Sequence, residues 1–265
     1  MSEIMLQQTQ VERVIPKFGL WMRRFPTWTS LATAKTSDLL RAWAGLGYNI
    51  RALRLRDAAR HVVEHGVPEE EIGWRALPGV GPYAAAALTE FAGHRFAVVI
   101  DTNVRRVAGR LFLGIPHPMP SHDARIRRAL LECVPRRGRH WDVPQAFMDL
   151  GSSVCLPTPS CTTCPLRTMC GSAAAFLSGN VRRPRRTMAE RRQEGKPHPD
   201  RIYRGRILAT VRERGPIRLG RLGTLIDPTF DPIRDGGWIE RIIGRMAKDG
   251  VVAVSNKRIV SIPRT

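Results

Sequence analysis

The chain has 265 residues, 43% of them hydrophobic, with 43 Lys and Arg against 23 Asp and Glu and a net charge of +20. That is enough apolar material for a packed core, which excludes wholesale disorder, and the length suits one large or two modest domains. No run of about 18 apolar residues exists, which excludes a membrane-spanning helix; no charged start precedes an apolar segment, so no secretory signal is expected and the cytoplasm is the expected location.

Taken in chain order, the first 176 residues read as almost entirely helical. Val11, Val14, Ile15 and Phe18 recur at helical spacing, and Leu39, Leu40 and Trp43 do so after the capping residues Thr36 and Ser37. Leu55, Ala59, Val62 and Val63 precede a helix-ending Gly66. Val104, Val107, Ala108 and Leu111 form another stripe. Ile126, Leu130 and Val134 follow a cap at Ser121, and Val143, Phe147, Leu150 and Val154 make the last stripe before a cysteine-rich loop. Such stripes are core faces, and no alternating strand pattern interrupts them. The fold class expected is all-α.

Residues 177–201 change character. The stretch 181–206 holds nine Arg and one Lys against three acids, broken by Pro184, Gly195, Pro197 and Pro199. This predicts a mobile basic linker that lies along phosphates, or failing that a solvated tether. From 202 the pattern is regular again. Ile207, Leu208 and Val211 predict a helix ending at Gly215; Leu219, Leu222, Leu225 and Ile226 a second; Trp238, Ile239, Ile242, Ile243 and Met246 a third, closed by Gly250. A hairpin turning at Ser255, Asn256 and Lys257 follows. Three helices and a hairpin are the order of a small winged-helix-like α+β domain at 202–265. Its third helix carries Arg241, Arg245 and Lys248, placed to meet DNA; a basic protein-contact domain is the alternative.

The charge implies a polyanionic partner, and nucleic acid fits first because Lys and Arg displace counterions from phosphates. Three stretches sharpen this. Leu77-Pro78-Gly79-Val80-Gly81-Pro82-Tyr83 sits between helical segments; its glycines allow a tight turn, and the N–H groups of the next helix start suit a phosphate oxygen. Asp101 follows the apolar run Val98-Val99-Ile100 and precedes a helix, where it either caps that helix or stands as an ionised carboxylate able to stabilise a sugar cation. Glu3 stands ahead of Gln7, Gln8 and Thr9, an amide-rich segment suited to base edges or a gap in a base stack. Of the five cysteines, Cys155, Cys161, Cys164 and Cys170 fall within 16 residues, a spacing for metal rather than disulfides. Cys133 lies apart and is read as a buried hydrophobe.

Together these motifs resemble the helix-hairpin-helix (HhH-GPD) DNA glycosylase superfamily, which includes endonuclease III. Glu3-Ile4-Met5-Leu6-Gln7-Gln8-Thr9-Gln10-Val11 is most similar to the bacterial branch specific for adenine in A/G and A/8-oxoguanine mismatches. Gly45-Leu46-Gly47-Tyr48, the hairpin, Asp101-x-Asn103-Val104, Gln145-Ala146-Phe147-Met148-Asp149-Leu150-Gly151 and the cysteines occur in the family's order, over roughly residues 2–175. The resemblance implies a two-lobed helical glycosylase domain at 1–176 with a cluster loop at 155–170, a linker at 177–201, and the C-terminal domain. It implies base-excision repair by base flipping on double-stranded DNA carrying a mismatched or damaged base, by a monomer in the cytoplasm, on the nucleoid. Glu3 matches the general acid, Asp101 the carboxylate that stabilises the sugar cation, and Asn103 a group orienting it. Tyr83 stands where strand-cleaving relatives carry a lysine, which implies hydrolysis without strand cleavage. Gln7, Gln8, Thr9, Leu46, Tyr48, Gly79, Val80, Gly81 and Gln145 match DNA- or base-contacting positions. The four cysteines match ligands of a [4Fe–4S] cluster; zinc is the weaker alternative, since only one Cys-x-x-Cys is present. Relatives carry a further helix before the matching Glu, so either a longer gene product or a chain without that helix is expected. Their domain resembling a nucleotide-pool hydrolase is not found here, and the winged-helix-like segment stands in its place. A T/G, U/G or hypoxanthine glycosylase of the same fold and a non-catalytic DNA-binding protein are the competing readings.

Overall fold

The structure, a computed structural model, describes residues 1–182 and 190–263. Five helices open the chain: α1 (Ser2–Leu6), α2 (Val11–Arg24), α3 (Trp28–Ala32), α4 (Thr36–Ala42) and α5 (Ile50–His65). Then α6 (Glu71–Ala76) and α7 (Pro82–Ala87) stand either side of the glycine turn, and α7 runs into a π-helical turn at Leu88–Ala92. Next come α8 (Thr102–Leu113), α9 (Asp123–Cys133), α10 (Asp142–Ser153), the cysteine loop and α11 (Ala173–Leu177). The C-terminal part is α12 (Asp200–Arg214), β1 (Ile217–Arg218), α13 (Leu219–Ile226), α14 (Pro232–Lys248), β2 (Ala253–Val254) and β3 (Ile259–Ser261). No helix among the described residues is long and apolar enough to cross a membrane.

The backbone gathers into two compact units. One holds Met1–Val67, Leu77–Gly79 and Met188–Thr265; the other holds Pro68–Ala76 and Val80–Thr187. This division does not follow the chain boundaries at 176 and 201, because both ends of the chain share the first unit.

In the first unit, Trp21 packs edge-on against Phe25 and Trp43, with Leu31, Leu39 and Leu40 fully enclosed beside them. Each such side chain contributes about 1.5–3 kcal/mol by leaving water. Its C-terminal portion has its own core of Tyr203, Ile207, Leu222, Trp238, Ile242, Met246 and Val260. The three strands lie in the order β1-β3-β2, both pairings antiparallel, with Ile217 opposite Val260 and Val254 opposite Val260 from the other side. The order helix, strand, helix, helix, hairpin is that of a winged helix. Strand β1 had no sequence signal, since two residues carry no periodicity.

The expected mobile linker is corrected for residues 190–199. Lys196 is 2% exposed and reaches Asp227 at 2.7 Å and Asp235 at 2.5 Å. Asp200 N–H donates to the Arg191 carbonyl at 2.8 Å, closing the segment into a loop, and Arg192 donates to the Lys196 carbonyl at 2.6 Å. A buried ammonium needs carboxylate partners, and satisfying it orders the segment. Residues 183–189 of that linker lie outside the described residues.

In the second unit, α8, α9 and α10 pack around Val104, Val107, Ala108, Ile126, Leu130 and Phe147. Two expected caps are corrected. α4 starts at Thr36 itself, whose hydroxyl accepts from Arg56 at 2.9 Å, and α9 starts after a 3-10 turn that contains Ser121. In both places tertiary contacts set the helix start.

Candidate active site

In the first unit, α1 carries Glu3 half-buried in its first turn, ahead of the buried Ile4 and Met5. The chain then turns sharply, and Gln8 takes φ 56°. A second turn does the same: Gly45 has φ 92°, Gly47 φ 71° and Tyr48 φ 45°. Left-handed backbone suits glycine but costs other residues on the order of 1–2 kcal/mol, so the surroundings must hold Gln8 and Tyr48 there.

The holder is Arg51, a buried residue of α5. One guanidinium nitrogen donates to the carbonyls of Ile4 (2.9 Å), Met5 (3.0 Å) and Gln7. The other donates to the carbonyls of Leu46 (2.9 Å) and Gly47 (3.1 Å) and to the Thr9 hydroxyl (2.9 Å). The same guanidinium lies 5.2 Å from the Trp43 ring centroid and 5.6 Å from that of Tyr48. Burial pushes its pKa below the ordinary arginine value, with Tyr48 opposing. Arg51 thus ties the 7–9 turn to the 45–48 turn. Sequence reading passed over it, although a signal exists: it continues the buried stripe of Leu55, Ala58 and Val62 at helical spacing.

Two expected contact residues are absorbed by this clasp. The Thr9 hydroxyl donates to the Leu46 carbonyl at 3.1 Å, and Leu46 is only 4% exposed, its side chain turned into the core. That removes both side chains from a direct surface role, because satisfying buried backbone groups takes the hydroxyl and packing takes the leucine. Gln8 is exposed and Tyr48 is 52% exposed, so these two form the outward part. Gln7 is half-buried and donates to the Gly79 carbonyl at 3.3 Å. Gly79 has φ 82°, and an added Cβ would stand 3.1 Å from the Arg54 side chain.

In the second unit, Val80 and Gly81 are half-buried; Gly81 is the N-cap of α7, with Pro82 in its first turn. Tyr83 packs against Ala86, Ala87, Ala97 and Val99. Asp101 caps α8: one carboxylate oxygen accepts from Val104 N–H at 2.6 Å and the other from the Asn103 amide at 3.0 Å. The Asn103 carbonyl oxygen accepts from Arg106 at 2.8 Å, and Arg106 also donates to the carbonyls of Gly151 and Cys155, both at 2.6 Å. Gly151 must be small, since a Cβ there would lie 2.7 Å from the Asn103 Cβ. Gln145 is exposed on α10 and donates to Asp149 at 3.3 Å. The run leading to Asp101 is fixed by the buried Glu90, which accepts from Ala97 N–H at 2.5 Å and bonds His140 Nδ1 at 2.5 Å. Neither Arg106 nor Glu90 was singled out from sequence.

Cys155, Cys161, Cys164 and Cys170 line one apolar cavity with Arg110 and Phe176. Arg110 is buried and donates to Cys155 Sγ at 3.3 Å and to the carbonyls of Pro116, Leu156 and Pro157 at 2.7–3.0 Å. Burial and the other three thiols push the Cys161 thiol up, with Arg110 opposing; a cationic group reverses such a shift. Among the described residues, no three His, Cys, Asp or Glu side chains gather closely enough for one metal ion. Cys133, expected to be buried, is exposed at the last position of α9, and its thiol donates to the Ala129 carbonyl at 3.4 Å.

A glycine turn at a helix start, a helix-capping carboxylate about 20 residues further on and a strongly basic chain are the features of a nucleic-acid-binding class of fold and site. The sequence profile described as "HhH-GPD superfamily base excision DNA repair protein" matches residues 1–136, and the chain belongs to that superfamily. It is 38% identical over 215 residues to an adenine DNA glycosylase of Mycobacterium tuberculosis, covering 80% of this chain and 68% of that protein. It is 36% identical over 263 residues to the adenine DNA glycosylase of Mycolicibacterium smegmatis, covering 94% and 86%, so the likeness extends into the C-terminal portion. Among solved structures it is similar to a thermostable thymine-DNA glycosylase, with a TM-score of 0.60 and 26% identity over 65% of this chain and 82% of that one.

Proposed function

We infer that the protein is a glycosylase that removes adenine mispaired with guanine or 8-oxoguanine from duplex DNA, acting as a monomer on a nucleotide swung out of the stack. The observation that carries this is the Asp101–Asn103–Arg106 arrangement at the start of α8. It holds a carboxylate with one oxygen on the helix N-terminus and the other on an amide, so the cap is also fixed in orientation. The adenine glycosylases among its relatives support the choice of base.

The chemistry assigns each residue a task. Glu3 gives its proton to adenine N7, which makes the base a better leaving group. The C1′–N9 bond breaks and its electron pair leaves with the base. Asp101 stabilises the sugar cation, and water adds at C1′ with loss of a proton, leaving free adenine and an abasic site. Gln145 bonds the adenine edge, and Gln8 and Tyr48 fill the gap in the stack. Tyr83 offers no amine, so water completes the reaction. Borohydride added during turnover should trap no protein–DNA adduct; a trapped adduct on a denaturing gel overturns the hydrolytic step.

Cys155, Cys161, Cys164 and Cys170 would hold a [4Fe–4S] cluster. Four thiols lining one cavity fit the four iron corners of such a cluster. The group supplies a covalent anchor for the 155–170 loop. Residues 1–176 and 202–265 remain our division into glycosylase and winged-helix-like domains, with 177–201 the connection between them, its 190–199 part ordered by Lys196.

The test is single-turnover base release on A/G and A/8-oxoguanine duplexes. Asp101→Asn should lose more than about a hundredfold in rate while duplex affinity holds; full activity removes Asp101 from the chemistry. The thymine-DNA glycosylase neighbour gives one specific alternative, so T/G and U/G duplexes belong in the same panel, and release of the pyrimidine alone favours that reading.

A further inference from the structure

Tyr48 does not stand alone at the surface. It lines an open notch of about 240 Å³ whose other walls come from the C-terminal portion of the same unit, among them Arg191, Arg201, Arg204 and Arg245. Four arginines face two acids in that lining, Glu190 and Asp200. The volume is small for a small-molecule pocket, which runs from about 300 Å³ upward, and six of its eight lining residues carry charged side chains.

Three of the four arginines are held in advance by carboxylates. Arg201 pairs with Glu190 at 2.8 Å, Arg245 with Asp200 at 2.6 Å, and Arg204 with Asp249. Asp200 is itself fixed by the Trp238 indole N–H at 2.9 Å. Each guanidinium has five N–H donors, so one carboxylate leaves others available. Arg191 is exposed and has no ion-pair partner among the described residues. Behind them, Lys196 on Asp227 and Asp235 locks the 191–200 loop, so Arg191 and Asp200 are set by a buried clamp rather than carried on a loose chain. Pre-ordered guanidinium forks on one rim are the arrangement that binds phosphodiester oxygens at low entropic cost.

The outer face of α14 is less free than its sequence suggested. Arg241 donates to Gln193, Arg258 of the hairpin pairs with Glu240, and the α14 C-terminal residues Ala247 and Lys248 border Leu53 and Arg54 of α5. Arg245, expected to enter a groove, belongs to the notch.

We propose that the C-terminal portion supplies an arginine-lined notch beside Tyr48 that grips the DNA phosphodiester backbone next to the point where Tyr48 enters the stack. This rests on the reading of Tyr48 as a wedge. The module serves as a strand clamp for the wedge rather than as a separate groove-reading domain.

The experiment uses the full chain, loaded as purified, and mismatched A/G duplexes in which single phosphates near the mismatch are replaced by neutral methylphosphonates. Wild type should lose affinity at one or two adjacent positions. In Arg191→Ala/Arg201→Ala those particular penalties should vanish, with overall affinity reduced and the slope of log K against log salt shallower by about one per lost phosphate contact. Arg212→Ala/Arg214→Ala, at the far end of α12, should keep wild-type penalties and slope. Unchanged penalties and slope in Arg191→Ala/Arg201→Ala overturn the proposal. Adenine release by wild type is followed on the same duplexes. The notch pattern without any release leaves the clamp standing and removes the glycosylase reading; release without the pattern does the reverse.

Discussion

A single guanidinium ties together the two turns that carry Gln8 and Tyr48, the residues proposed to fill the gap in the DNA stack. Arg51 serves five carbonyls and the Thr9 hydroxyl, and no carboxylate among the described residues pairs with it. Lysine has three donors and no fork, so Arg51→Lys strands at least one buried carbonyl, at about 1–3 kcal/mol each. The variant should fold with a melting temperature lower by several degrees and lose base-release rate together with duplex affinity, as Gln8 and Tyr48 relax from their left-handed turns. Wild-type melting and binding would contradict the clasp. Asp101 and the four cysteines were legible in sequence because each breaks its local pattern: an acid after an apolar run, thiols crowded at short spacing. Arg51 and Arg106 were not, since in a chain with 43 basic residues one more arginine on a helix carries no mark of what it bonds.

At the level of elements, the Lys196 clamp converts a segment that reads as tether into part of a domain. Burial pushes the Lys196 ammonium down, but the bonds to Asp227 and Asp235 more than reverse this and hold it above its ordinary value. Burial likewise opposes Asp227, whose bonds to Lys196 and Thr229 leave it below the carboxylate range. The bond from Arg234, opposed by burial and aided by Asp231 N–H and Lys196, holds Asp235 well below that range. Carboxylates depressed on folding contribute fully above their unfolded value of about 4 and lose this as pH falls from there through their lower folded values; the raised ammonium contributes fully below about 10.4 and loses this as pH climbs through its higher folded value. Lys196→Met leaves two buried carboxylates short of a partner, so urea unfolding should show a loss of about 3–5 kcal/mol at pH 7. The gap between wild type and variant should narrow from pH 6 to pH 3. A gap that is small, or that does not change with pH, contradicts the clamp. Here the long amphipathic helices were legible and their partners were not. α8, α10, α12 and α14 fall where their apolar stripes lie, whereas β1 and the true starts of α4 and α9 depend on contacts distant in sequence.

For the whole molecule, net charge and motif order announced a DNA-repair protein of this superfamily, and the comparisons place it there. The gathering of both chain ends into one unit was not legible, because it involves contacts distant in sequence, such as the end of α14 and Gly250 beside Leu53 and Arg54 of α5, rather than any local pattern. Glu3 belongs to the first unit and Asp101 to the second, and the proposed chemistry asks each for its own task. The most direct test is therefore single-turnover release of adenine from an A/G duplex by wild type and by Glu3→Gln. Wild type should release the base, and Glu3→Gln should be slower by about a hundred- to ten-thousandfold while still binding the duplex. No release by wild type, or release at equal rate by both proteins, contradicts the assignment of this chain as an acid-catalysed adenine glycosylase.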